Sequence, residues 1–171
     1  MKYFIALLFA GYFLSCNPKS TNKVETAQIV KDTTPPTDSN LVMTQEELVD
    51  DSVFTDGSKP TSWSTAGITD PNQLKVFIKI LRLWVEKGNI DSIANHIQYP
   101  LKGNNQVSTP AEFIKNYNLL FTPKVIRALK QEKLSQIFRN YQGAMIGSGE
   151  LWIRNVNPDF TEEFKIFSIN N

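Results

Sequence analysis

Cysteine and histidine are almost absent from this chain of 171 residues, which has one of each, Cys16 and His96. A single thiol excludes an intramolecular disulfide and any zinc or iron–sulfur site that needs two thiolates. A single imidazole excludes a histidine-rich metal centre. An excess of one charge is missing too: the net charge is +1, so there is no chain-wide basic field of the kind that holds nucleic acid, and no nucleic-acid partner is expected. The apolar run Tyr3–Leu14 has twelve residues, about 18 Å of helix against about 30 Å of bilayer hydrocarbon. It is too short to span. No phosphate loop, dinucleotide fingerprint or metal motif occurs, so no cofactor and no metal is expected. Hydrophobic residues make up 41% and charged residues 20%, the profile of a globular domain, and the length suits one such domain.

The charge divides the chain into three parts. Residues 1–16 carry +1, residues 17–60 carry −4 and residues 61–171 carry +4. In the first part, Lys2 precedes the apolar run, which ends at Ser15-Cys16. A small residue followed by a cysteine at the end of a secretory apolar segment resembles the lipobox of bacterial lipoproteins. The resemblance implies a signal peptide over 1–15, cleavage before Cys16, and a diacylglycerol anchor on its thiol. Phe13 and Leu14 depart from the usual Leu and small residue of that motif. Asn17 after the cysteine, where Asp would favour inner-membrane retention, points to the outer membrane, with the protein facing the periplasm.

Residues 16–60 read as a flexible acidic tether. Thr33-Thr34-Pro35-Pro36-Thr37 and Asp38-Ser39-Asn40 favour turns and extended chain. Little apolar surface is available to offset the entropy of ordering the segment. Leu41–Val49 could make one helical turn. The domain, residues 61–171, is therefore expected to fold without its tether.

Within that domain the clearest signal is Gln73–Glu86, a helix with Lys75, Lys79, Arg82 and Glu86 in one polar stripe and apolar residues over the rest. Asp70-Pro71 starts it and Gly88 stops it. A short helix is predicted over 90–97, capped by Asn89, then a small hairpin of 98–102 with 106–108. Thr109-Pro110-Ala111-Glu112 opens a helix with Phe113, Ile114, Tyr117, Leu120 and Phe121 inward. Thr122-Pro123 opens another, with Lys124, Arg127 and Lys130 on its exposed side and Lys133 beyond. Gln142–Ile153 is a hairpin turning at Gly147–Gly149, with Ala144, Ile146, Leu151 and Ile153 on one face and Gly143, Met145, Glu150 and Trp152 on the other. Phe164–Ile169 is a last strand, with Phe164, Ile166 and Ser168 alternating against Lys165, Phe167 and Ile169. Gly143 and Trp152 are expected to be neighbours, directly opposite with the turn at Gly147-Ser148 or diagonal with the turn one residue later, the indole lying over the bare glycine backbone. The order is α+β, with helices against one face of a curved antiparallel sheet.

The run from Tyr99-Pro100-Leu101 through Tyr141–Ile153 to Ile169-Asn170-Asn171 resembles a group of bacterial envelope proteins in the nuclear-transport-factor-2-like superfamily. That resemblance implies a cone, a bent antiparallel sheet wrapped round a long N-terminal helix. It implies no activity, since the superfamily holds enzymes and binding modules alike.

The acid–base candidates are few. Glu150 is the best acid, beside Trp152 on the hairpin. His96 and Asp91 are five apart on a short helix and diverge, so they make no natural pair. Tyr99, Tyr117 and Trp152 are candidate ligand or partner contacts. Ser148 lies between glycines in a hairpin, the wrong context for a nucleophile elbow. The cations at 124, 127, 130 and 133 suit a solvated helix face, or an acidic partner. These residues favour a membrane-anchored envelope lipoprotein with a non-catalytic domain that binds a small molecule or an envelope protein. The alternative is a small cofactor-free enzyme, an isomerase or hydrolase. The oligomeric state stays open, a homodimer included.

Overall fold

A computed structural model of the chain describes residues 41–103, 107–157 and 161–171. Cys16 and the signal segment lie outside the described residues. Three helices begin with the same local chemistry: α2 (Pro71–Lys87), α4 (Pro110–Lys115) and α6 (Pro123–Gln131) each have proline in the first turn. Asp70, Thr109 and Thr122 cap them, accepting backbone N–H bonds that the first turn would otherwise leave open. Gly88 ends α2 in the left-handed conformation and donates back to Trp84 and Val85. Next comes α3 (Ile90–Asn95), without a side-chain bond from Asn89. The helix expected to run on from Pro110 breaks at Asn116, whose amide takes the carbonyl of Glu112, and resumes as α5 (Tyr117–Leu120).

Five strands form one sheet: β1 (Ile97–Gly103), β2 (Phe138–Asn140), β3 (Gly143–Ile146), β4 (Leu151–Asn155) and β5 (Phe164–Ile169), in the order β1-β5-β4-β3-β2. The fold is α+β as read from the sequence. The sheet, however, is mixed and not antiparallel throughout, because β1 runs parallel to β5. The expected hairpin after Gln98 reduces to a single antiparallel bridge, Leu101 to Val107, since β1 spends its bonds on β5.

The β3–β4 hairpin has the predicted faces. Ala144, Ile146, Leu151 and Ile153 are fully buried, and Met145 stands opposite Trp152. Of the two expected registers the diagonal one forms, with Gly143 opposite Arg154 and one pair along from Trp152 on the same face. Gly143 has φ +137, and a Cβ there would strike the Ile153 carbonyl oxygen and then Arg154, not the indole. The glycine is needed for its backbone. Gly143→Ala is expected to cost about 1–2 kcal/mol from strain alone, measurable by urea unfolding.

Strict alternation also fails in β5. Trp152 pairs with Ser168 but Ile153 pairs with Ile166, so Phe167 is an extra residue bulged out of register. Ile169 thereby joins Phe164 and Ile166 in the core. Phe167 lies on the other face, 6.3 Å from the Trp152 ring and under the Arg154 guanidinium.

The core lies between α2 and the inner sheet face. Leu74, Ile78 and Leu81 of α2 share one buried cluster with the sheet residues, and the Phe77 ring is 5.9 Å from Phe164. The first half of the polar stripe of α2, Lys75 and Lys79, is covered as well. The covering segment is residues 41–60, expected as tether, which belong to the same compact unit as the rest of the domain. Thr44 and Glu47 cap each other to form the short α1 (Gln45–Leu48). Glu47 pairs with Lys79 at 2.8 Å, and Asp50 pairs with Lys75 at 2.7 Å and with Arg139 at 3.2 Å. The Trp63 indole N–H donates to Asp50 at 2.5 Å, and the Asp51 amide donates to the Ser135 carbonyl at 2.9 Å. The domain therefore includes residues 41–60. The segment is held by ion pairs and hydrogen bonds more than by apolar burial, which is why it shows no hydrophobic period.

Candidate functional site

An open cleft of about 940 Å³ lies on the flank of the domain, between α6, the β3–β4 turn and the strap of residues 54–56. The helix wall follows from spacing: Lys124, Arg127, Ala128 and Gln131 fall at i, i+3, i+4 and i+7 and so share one face of α6. Phe54 of the strap and Phe138 of β2, with ring centroids 6.2 Å apart, line the cleft together with Met145. Gly147 brings the turn against the helix. It has φ +67, and a Cβ there would sit 2.7 Å from the Ala128 methyl.

Two carboxylates hold the tip of that turn. Glu132 accepts the Gly147 N–H at 2.6 Å, and Glu150 accepts the Ser148 N–H at 2.6 Å. Glu150 is 8% exposed and faces the Lys124 ammonium at 3.3 Å. Burial by itself would raise its pKa, but the Ser148 and Glu150 amides and Lys124 outweigh burial and hold the carboxyl below the usual carboxylate range. Glu132 goes the other way. Burial pushes it up to about 7, opposed by the Gly147 N–H and Arg82 and reinforced by the Glu150 charge. Its backbone is fixed from α2: Arg82 donates to the carbonyls of Leu129 at 2.9 Å and Glu132 at 2.6 Å, satisfying the open C-terminal end of α6 with a half-buried cation. The cleft thus sets two neighbouring carboxylates to different protonation tendencies, an arrangement able to exchange a proton near neutral pH.

The sequence candidates are dispersed. Glu150 and Lys124, read separately, meet in the cleft, and Arg127 and Lys133 line it with them, whereas Lys130 does not. His96 lies at the far end of α3. Its Nδ1 is 2.8 Å from the Ser92 carbonyl oxygen, and its ring packs 4.6 Å from Trp84 and 5.6 Å from Phe77. Asp91 is exposed in the first turn of α3. The Tyr99 hydroxyl donates to the Ala94 carbonyl at 3.0 Å, and burial pushes its pKa up to about 12. Tyr117 stacks on Phe121 at 5.0 Å, and burial raises its hydroxyl also. Trp152 stands on the outer sheet face, its ring 6.5 Å from Phe138. Glu132 is the residue that sequence reasoning missed. Its partners Gly147 and Arg82 are 15 and 50 positions away, and no local pattern announces either contact.

In comparisons with known proteins, no family model, no curated protein and no solved structure matches this chain. The functional reading therefore rests on the cleft and on the sequence motifs. Among the described residues, no three His, Cys, Asp or Glu side chains gather to hold a metal ion, and no helix is long and apolar enough to cross a membrane.

Proposed function

We propose that this protein is a lipid-anchored envelope lipoprotein of bacteria, attached through Cys16, probing the periplasm with a binding domain of the nuclear-transport-factor-2-like cone type. Its domain takes a small molecule in the cleft between α6 and the β3–β4 turn and does not transform it. The observation that carries this reading is the division of space. The volume between α2 and the sheet is filled by aliphatic and aromatic side chains such as Leu81, Ile153 and Phe164, while the open volume lies on the flank and mixes aromatic, cationic and carboxylate groups. Pockets of this size, with an apolar wall and a few directed polar groups, suit a ligand of drug-like dimensions. The support for the anchor is the single thiol closing the secretory apolar run.

One observation favours a second reading, a cofactor-free enzyme. Glu132 sits near neutrality beside an ionised Glu150, as an acid–base group would. One experiment separates the two. The mature protein is purified from envelopes, its N-terminus is examined by mass spectrometry for an acylated Cys16, and the domain is exposed to a small-molecule extract and analysed as an intact complex. A ligand retained by the wild type, lost in Phe138→Asp and released unaltered supports binding. Conversion of that ligand, abolished in Glu132→Gln, would replace binding by catalysis. A mature chain beginning elsewhere than Cys16 would remove the anchor.

A further inference from the structure

The charges on the cleft wall are unequally committed. Lys124 and Glu150 neutralise each other at 3.3 Å. Asp56 is turned to its own loop, one oxygen accepting the Ser58 N–H at 2.9 Å and the Ser58 hydroxyl at 2.7 Å. Glu132 is occupied by the Gly147 N–H. The side chains of Arg127 and Lys133 have no ion-pair or hydrogen-bond partner among the described residues, and both line the cleft. The same cleft is lined by the Phe54 and Phe138 rings, Met145 and Ala128. Uncommitted cations in a cleft with an aromatic lining read a definite chemistry.

We propose that the cleft selects small organic anions with an aromatic or bulky apolar body, the anionic group meeting Arg127 and Lys133 and the body lying against Phe54 and Phe138. This rests on the cleft being the binding site. The acids in the cleft reduce its positive charge without cancelling it: Glu150 is paired with Lys124, Asp56 remains an anion bonded to Ser58, and burial draws Glu132 toward its neutral form. A guanidinium suits a carboxylate, sulfonate or phosphate through its planar fork, and a flexible ammonium adds charge without fixing geometry. A ligand with cationic groups would meet two unpaired like charges at the same wall.

Two fluorescent probes of nearly equal shape test the idea, anilinonaphthalene sulfonate and the uncharged phenylnaphthylamine, titrated into the full mature chain at neutral pH and moderate salt. The sulfonate is expected to bind once per chain. Arg127→Glu with Lys133→Glu should weaken it by about tenfold or more, and the neutral pair Arg127→Gln with Lys133→Gln by less. The uncharged probe should change by less than about twofold in the same variants, and Phe138→Ala should weaken both probes through lost stacking area. These cations are exposed, so the variants should keep the wild-type melting temperature. Sulfonate binding indifferent to charge reversal, or both probes weakened alike, would overturn the selection of anions. If Phe138→Ala still weakens both probes in that case, the cleft remains the binding site. Probes that ignore all three positions, or do not bind, would overturn the site itself.

Discussion

Asp50→Ala is expected to destabilise the protein by about 3–5 kcal/mol, the largest effect of any single surface-segment change. The Asp50 carboxylate is the common partner of three groups: Lys75, Arg139 and the Trp63 indole N–H. Lys75 is 1% exposed and Arg139 is 5% exposed. Removing the anion leaves two buried cations without an opposing charge, which costs far more than losing a surface salt bridge. Lys75 keeps a 3.3 Å bond to the Leu48 carbonyl, and Arg139 keeps Thr61 and Ile137 and its stacking on Trp63. Those contacts set the upper end of the range. Urea unfolding measures the loss, and adding Lys75→Met to Asp50→Ala should recover a good part of it, because the uncompensated charge is then gone. A loss below about 1 kcal/mol would show the pair to be solvated in solution. The same argument predicts that a chain beginning at Thr61 melts well below one that keeps residues 41–60.

Glu132→Gln is expected to stabilise the protein by about 2–3 kcal/mol at pH 8 and to leave it unchanged near pH 4. The folded protein raises this carboxyl to about 7 from an ordinary value near 4.5. A group raised in the folded state contributes stability that is fully present below its unfolded value and is lost as pH rises through its folded value. The wild type should therefore lose stability relative to the Gln variant between about pH 4.5 and pH 7, and the difference should be flat above that. The full shift would correspond to about 3.4 kcal/mol. Partial access of solvent to the cleft reduces it. The amide oxygen of Gln can still accept the Gly147 N–H, so the turn stays held. Thermal unfolding of both proteins across this pH range checks the sign, and a variant less stable than the wild type at pH 8 would contradict it.

Legibility in the sequence followed the range of the forces involved. Cap–proline pairs and a 3.6-residue apolar period act over one or two turns, so α2, α4 and α6 could be read with their starts. The β3–β4 hairpin was readable because a glycine-rich turn and a two-residue period agree. The bulge at Phe167 was not, since an inserted residue leaves the apolar composition of β5 unchanged while moving Ile169 to the other face. The parallel β1–β5 pairing joins residues nearly seventy positions apart, and nothing in either strand specifies its partner's direction. Residues 41–60 looked like spacer because acidic, proline-flanked sequence resembles solvated chain. What orders them is the complementary stripe of Lys75 and Lys79 on α2, legible only when both are placed together. In the site, Glu150 and the cations of α6 could be named but not joined, and Glu132 had no signal because its acidity is set by burial and by Arg82.

The strand order has a consequence for synthesis. β5 follows the other four strands in the sequence, yet it lies between β1 and β4 and is the strand that joins them. Until residues 164–169 emerge from the ribosome, β1 has no neighbour beyond its bridge to Val107, and β4 presents an open edge. The sheet cannot close before those residues are available, whatever helices have formed by then. A nascent chain halted before Phe164 should remain sensitive to protease and hold an unpaired β-edge, the form in which strands most readily find partners on other molecules.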